Sequence, residues 1–333
     1  METYAHWFYA LMWPIVATLS TYAIQSYFGA FSIPPVCICG KDSSAVIWKD
    51  PVYCLLRCEH CSLMWVEPVP DQKELDALYS PHYFESYYQR CEEPRLWYFQ
   101  RWLDYLANLR RPGRLLDVGC GIGLFLRAAR ATGWNVCGVE PSLAARRFHL
   151  DGLPILRGSL ESVLPSERFD LITFWDVLAH VRDPLQLLRR ARELLADDGV
   201  VLIKTPNRTL MDVAIARILN PLHGGRGWLH IPAQLFHFSP QSLVEILGLA
   251  GFKGFEIHPT NEAFLLDLRN AVGNPKILGA QMLRLFLRAL RHPESIIILA
   301  VPHRRPERCA SLTPVRFAET VRGRLRPIRP LRA

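Results

Sequence analysis

The stretch Leu115-Leu116-Asp117-Val118-Gly119-Cys120-Gly121-Ile122-Gly123 decides the fold. Arg114 to Val118 is a short apolar run that ends in a glycine-rich turn, which predicts a strand. Leu124 to Ala131 then carries helical spacing. Glycines at 119, 121 and 123 let the turn backbone approach a ligand closely. The helix N-terminus behind them offers N–H groups to a negative group such as a carboxylate.

Strands and helices alternate outward from this turn. Asn135 to Val139, Pro154 to Leu156, Phe169 to Phe174 and Val200 to Lys204 read as strands. Asp183 followed by Pro184 predicts a helix start, and the apolar face through Leu195 predicts a helix ended by Gly199. Ser239-Pro240 starts another helix, which ends near Gly251. Phe255 to His258 and Ile296 to Val301 are two further strands. Such alternation implies an α/β fold, a mostly parallel sheet with helices on both faces. We place this domain at residues 113–303, with insertions at 207–234 and 260–293.

The turn also constrains its ligand. A dinucleotide fingerprint needs glycine at the sixth position from Gly119, where Leu124 stands, so a nicotinamide oxidoreductase is disfavoured. Asp117 would repel a pyrophosphate but suits a cationic amino-acid group. Glu140, at the end of the second strand, is placed to accept both hydroxyls of a ribose. An amino-acid end and a nucleoside end together describe S-adenosylmethionine.

Upstream lie three other units. Residues 36–70 hold Cys37, Cys39, Cys58 and Cys61, a C-x-C and a C-x2-C pair that permit four thiolates on one Zn²⁺. Cys54 and His60 are possible substitutes. Four protein ligands leave no open position, so this zinc would be structural. Residues 71–112 form a helical linker rich in aromatics. Residues 1–35 are apolar, and no Asp, Glu, Lys or Arg occurs from Thr3 to Gly40. That segment is long enough to enter or lie on a membrane, to pack as a helix on the body, or to precede the true start. No charged n-region marks a secretory leader, so clustered cysteines point to metal and a cytoplasmic setting.

The chain has 333 residues, 50% hydrophobic and 21% charged, which excludes disorder, collagen and coiled coil as readings of the whole. Its net charge of +8 is concentrated in a basic tail, residues 304–333, where nine Arg face two Glu. The body is close to neutral, so no specific nucleic-acid partner is expected. In the 260–293 insertion, Ile277, Leu278, Met282, Leu285 and Phe286 alternate with Arg284, Arg288 and Arg291. This basic amphipathic helix would lie on a membrane, cover a substrate pocket or face the core.

The motifs together resemble the class I S-adenosylmethionine-dependent methyltransferases, in the bacterial subgroup with an N-terminal zinc ribbon. The resemblance is carried by Leu116 to Gly123, by Gly138-Val139-Glu140-Pro141-Ser142, by Phe169 to Val181 and by Phe236-His237-Phe238-Ser239-Pro240. It implies a Rossmann-like seven-stranded sheet whose last strand, Ile296 to Val301, is antiparallel. It also implies that Asp117, Gly119 and Gly121 face the methionine part of the cofactor and Glu140 the ribose. Ser159 and Leu160 would lie near the adenine, and Trp175 would line the cofactor pocket. The family often has Glu-His where Ala179-His180 stands, and His where Gln234 stands.

Methyl transfer from an activated sulfonium asks chiefly for positioning. A base is needed only where the acceptor must lose a proton. His180 and His237 are the candidates, each with a structural reading beside it, hydrogen bonding under the cofactor and packing at a helix start. His223 and His230 sit in the first insertion without a distinguishing signal. The expected acceptor is a small molecule, such as a sugar, a glycan precursor or a lipid-linked metabolite. The alternative from another class is a zinc-ribbon scaffold that keeps the cofactor fold without turnover.

Overall fold

The computed structural model describes residues 36–78, 92–145, 152–219, 225–260 and 293–302. The apolar N-terminal segment, the amphipathic insertion, the basic tail and His223 lie outside the described residues. Within them no helix is long and apolar enough to cross a membrane.

The sheet grows from the buried apolar strands the sequence marks. In chain order these are β4 (Arg114–Val118), β5 (Asn135–Glu140), β6 (Ile155–Arg157), β7 (Phe169–Trp175), β8 (Leu195–Pro206), β10 (Phe252–Thr260) and β11 (Ser295–Pro302). They form one seven-stranded sheet in the spatial order β10-β11-β8-β7-β4-β5-β6. Strands β4 to β8 pair in parallel. Strand β11 runs antiparallel between β8 and β10. Every residue of β11 is buried, as expected for an apolar run covered on both faces.

Helices α2 (Glu92–Leu109), α3 (Leu124–Ala131), α4 (Pro184–Leu194) and α7 (Pro240–Leu249) accompany the sheet. Asp183 caps α4 by accepting from the Gln186 N–H at 2.8 Å, with Pro184 in the first turn. Ser239 and Ser242 form a reciprocal capping box on α7. The helical linker is helix over α1 (Gln72–Leu78) and α2, with residues 79–91 undescribed between them.

One boundary differs from the sequence reading. Helix α4 stops at Leu194 rather than at Gly199, and β8 begins at Leu195, paired with Phe169. Both Leu194 and Leu195 are buried, so the chain turns into the sheet as soon as its apolar face is spent. Gly199 sits in the bulged opening of β8, where a Cβ would lie 2.9 Å from the Ala196 carbonyl.

The cysteine-rich segment folds as three antiparallel strands, β1 (Ser44–Lys49), β2 (Cys54–Cys58) and β3 (Met64–Glu67). Its sheet does not close on itself. A fourth strand, β9 (Phe236–His237), comes from beyond the first insertion and pairs with β3. That insertion holds α5 (Leu210–Leu219) and α6 (Gly225–Trp228). Val213, Ala216, Leu229 and Ile231 pack on Trp48, Tyr53, Leu55 and Met64. The insertion is thus the support of the ribbon rather than a free appendage.

Candidate functional site

The cofactor side lies at the carboxyl ends of β4 and β5, where open parallel sheets place their ligands. Gly119, Gly121 and Gly123 all adopt positive φ, at 67°, 55° and 92°. A Cβ on Gly119 would stand 2.7 Å from Val177 Cγ2, so the turn needs glycine for space as well as for torsion. The Gly119 and Cys120 N–H groups donate to the Val139 carbonyl at 2.8 and 3.1 Å, which locks the turn onto β5.

Asp117 is 2% exposed at the end of β4. Thr173 Oγ1, from the adjacent β7, donates to its Oδ1 at 2.7 Å. No Lys, Arg or His among the described residues pairs with it. Burial above all pushes its carboxyl up to about 8, and the Glu140 charge adds to this. A buried carboxylate without a counter-charge is costly, and an ammonium group is the partner that relieves it. Glu140 accepts from the Gly121 N–H at 2.8 Å on one oxygen and from the Ser142 N–H at 2.9 Å on the other. An ionised carboxylate has about four acceptor positions, so two bonds leave room for ribose hydroxyls. Asp117, the glycine cradle and Glu140 therefore fit an S-adenosylmethionine molecule, with the amino-acid end at Asp117.

The other expected cofactor residues occupy the same end of the sheet. Trp175 ends β7 and meets Phe99 and Phe125 with ring centroids 4.9 Å away in each case, and Tyr98 at 6.1 Å. Its buried Nε1 has no hydrogen-bond partner among the described residues. Helix α2 thus supplies an aromatic wall that the sequence reading left as part of a linker. Leu160 is fully buried, beside Val118 and Val139 in one apolar cluster, and Ser159 bonds to the Glu161 carboxylate. The Gly158 N–H donates to the Glu140 carbonyl at 3.2 Å, which ties that loop to the end of β5.

The two candidate histidines come from separate segments of the chain. His180 follows β7 in a short 3-10 turn, and its Nδ1 lies 2.7 Å from the Ala233 carbonyl. A carbonyl only accepts, so Nδ1 carries the proton and Nε2 the lone pair. Burial, with the Lys204 charge nearby, holds this imidazole down to about 4 and hence neutral at pH 7. His237, in β9, is 1% exposed, and neither ring nitrogen has a hydrogen-bond partner among the described residues. Burial first, then the charges of Arg208, His230 and His180, push it well below the usual histidine range. The structure therefore gathers His180, His230 and His237 in one region, and His230 adopts a φ of 55°.

A partly buried ion pair stands near His180. Lys204 of β8 stands 2.5 Å from Asp176 Oδ2, and the Asp176 N–H donates to the Lys204 carbonyl at 2.9 Å. Asp176 has a φ of 59°, a strained conformation for a residue other than glycine. The one signal in the sequence is a lysine at the end of the apolar run Val200 to Ile203.

The four predicted cysteines meet in space. Their sulfurs all lie within 4.8 Å of one another, with Cys37 to Cys61 at 3.6 Å and Cys39 to Cys58 at 3.7 Å. Tetrahedral Zn²⁺ with bonds of about 2.3 Å separates its sulfurs by about 3.8 Å, so the set is compatible with zinc. The Cys61 thiol is drawn down to about 5, chiefly by its hydrogen bond with Cys37. His60 is exposed, and neither it nor Cys54 belongs to the cluster.

Comparison with known proteins identifies the domain. A family model described as a methyltransferase domain matches residues 88–257. Curated relatives include a ubiquinone biosynthesis O-methyltransferase of Histophilus somni, 31% identical over 60% of this chain and 85% of the relative. The corresponding protein of Actinobacillus pleuropneumoniae is 31% identical over 50% of this chain and 80% of its own. Against that of Rhodopseudomonas palustris strain BisB5, 34% identical over 31% of this chain, the match spans 44% of the relative. Similar solved structures include a SAM-dependent methyltransferase from Archaeoglobus fulgidus (20% identical, 66% of this chain and 99% of that one, TM-score 0.46). Another is Haemonchus contortus phosphoethanolamine N-methyltransferase 2 (18% identical, 72% and 63%, TM-score 0.49). With the family model covering half of its length, the chain belongs to the methyltransferase-domain family, among the class I S-adenosylmethionine-dependent methyltransferases.

Proposed function

We propose that the protein transfers a methyl group to a hydroxyl oxygen of a small molecule, with His237 and His180 on the acceptor side. The observation that carries this reading is the His237 imidazole. It is buried at the acceptor side, and its nitrogens have no partner among the described residues. Leaving such a group unsatisfied costs about 1–3 kcal/mol, which a hydroxyl of the acceptor would offset. The O-methyltransferase names of the curated relatives support an oxygen acceptor over nitrogen or carbon.

Bound S-adenosylmethionine supplies the activated methyl. Asp117 and the glycine turn orient it, and Glu140 holds its ribose. The neutral imidazoles of His180 and His237 accept hydrogen bonds from the acceptor, and one of them takes the single hydroxyl proton as the oxygen attacks. The aromatic wall of Tyr98, Phe99, Phe125 and Trp175 excludes water beside the cofactor. Phenols suit this arrangement, because their hydroxyls are more acidic than those of alcohols and need the least help from an imidazole held neutral by burial. We also infer that Cys37, Cys39, Cys58 and Cys61 hold one structural Zn²⁺, since the sulfur spacing fits and no fifth ligand position is open.

The test is a methyl-transfer assay with phenols and catechols, with and without a prenyl tail, against aromatic amines as controls. Production of S-adenosylhomocysteine with the hydroxyl compounds and not the amines is expected. Turnover of amines alone would overturn the oxygen acceptor.

A further inference from the structure

A short path joins the cysteine cluster to the acceptor-side histidines. Cys58 ends β2, and Cys61 closes the turn that leads into β3. Met64 of β3 pairs with His237 of β9, and Trp65 pairs with Phe236. One step further, the Val66 N–H donates to the Leu235 carbonyl at 3.0 Å, and the Leu235 N–H donates to the Ala179 carbonyl at 2.7 Å. Ala179 is the neighbour of His180, and the carbonyl that sets the His180 tautomer belongs to Ala233 in the same segment. On the other flank, Gln241 Nε2, in the first turn of α7, donates to the His60 carbonyl at 3.1 Å. Residues 235–237 are therefore held by β3, and Gln241 by the knuckle that carries Cys58 and Cys61.

Strand β9 has two residues, too few to be stable without a neighbour. Its sheet partner β3 has four residues and leads directly out of the turn between Cys58 and Leu63, so the order of β9 depends on that turn. The cofactor side takes another route. Asp117 and Glu140 are fixed by Thr173 and by backbone groups of β4, β5 and the glycine turn.

We propose that the cysteine cluster is a positioning centre for the acceptor side alone. An ion on the four thiolates fixes the knuckle, the knuckle fixes β9, and β9 fixes His237 and the carbonyl that orients His180. This rests on the zinc reading given above, and it extends it from holding the ribbon to shaping the site.

The experiment uses the full chain. Zinc content is measured by atomic emission, backbone amide exchange by mass spectrometry, and S-adenosylhomocysteine affinity by calorimetry. The samples are the protein with zinc, the protein stripped by a chelator, Cys58→Ser and Gln241→Ala. Stripping and Cys58→Ser are expected to speed exchange over 233–239 by roughly tenfold or more, as for a local opening. Exchange over 115–121 and cofactor affinity should stay within roughly twofold. Gln241→Ala should keep its zinc and speed exchange over 233–239 by a few fold. Native exchange over 233–239 in the stripped protein would overturn the proposal. So would equal loosening over 115–121 with loss of cofactor binding. A folded protein that binds the cofactor but never zinc would overturn the zinc reading. Gln241→Ala then decides the clamp by itself, and unchanged exchange in that variant overturns it.

Discussion

The proposed cofactor side, around Asp117 and Glu140, and the proposed acceptor side, around His180 and His237, are built in opposite ways. The cofactor side is local. Asp117, the three glycines and Glu140 fall within one strand-turn-helix-strand unit, and backbone groups do most of the holding. The acceptor side is collected from the ribbon, the end of β7, β8 and the segment after the first insertion. Backbone pairing holds it too, but between elements far apart in the chain, and several of its side-chain polar atoms are buried. A cofactor shared across a family can be bound by backbone geometry. An acceptor particular to one protein needs side chains, and these can come from anywhere the fold brings close.

The sharpest way to break this comparison is to remove the charge at Asp117. Asp117→Ala should weaken S-adenosylhomocysteine binding by on the order of 10²-fold or more, in line with 2–5 kcal/mol for a buried charge partner. Titration calorimetry reads this, and unchanged affinity would remove Asp117 from the site. The complement is His237→Asn. It should lower kcat by on the order of 10²-fold while leaving cofactor affinity alone. A parallel loss of cofactor affinity would show that the two sides are not separate.

Gly119→Ala puts a Cβ against Val177 in a left-handed backbone. A loss of about 1–3 kcal/mol in denaturant unfolding is expected, together with weaker cofactor binding. The pH dependence is gentler. Asp117 has its carboxyl raised to about 8 by burial, so the folded, cofactor-free protein holds a proton that the unfolded chain has released. Stability from this group therefore falls as pH rises from about 4 to about 8. An ammonium prefers the ionised form, so cofactor affinity should rise between pH 6 and pH 8. Asp117→Asn should flatten both trends, and a wild-type affinity that is flat over this range would contradict the ammonium assignment. Ser239→Ala, which removes the cap beside β9, should cost about 1 kcal/mol in thermal unfolding and spare cofactor affinity.

Legibility in the sequence followed the same division. The strand and helix around Leu116 to Gly123 were readable because apolar period, glycine spacing and caps are all local signals. Gly199 misled because glycine after a helical pattern usually ends it, whereas here burial of Leu195 draws the chain into β8 four residues earlier. In the sequence Lys204 is only the polar end of a strand, since its Asp176 partner becomes a neighbour through the parallel pairing of β7 with β8. Thr173 is likewise one hydroxyl in an apolar run, and its bond to Asp117 spans two strands.

The alternating α/β sheet, the glycine turn and the cysteine pairs are legible along the chain, because each is written in spacings shorter than one supersecondary unit. Folding alone reveals that β9 completes the ribbon sheet, that His237 is buried and lacks a partner among the described residues, and that Ala233 sets the tautomer of His180. Those facts depend on which distant segments share a sheet edge, and hydrogen-bond pairing across some 170 residues leaves no periodic trace along the chain.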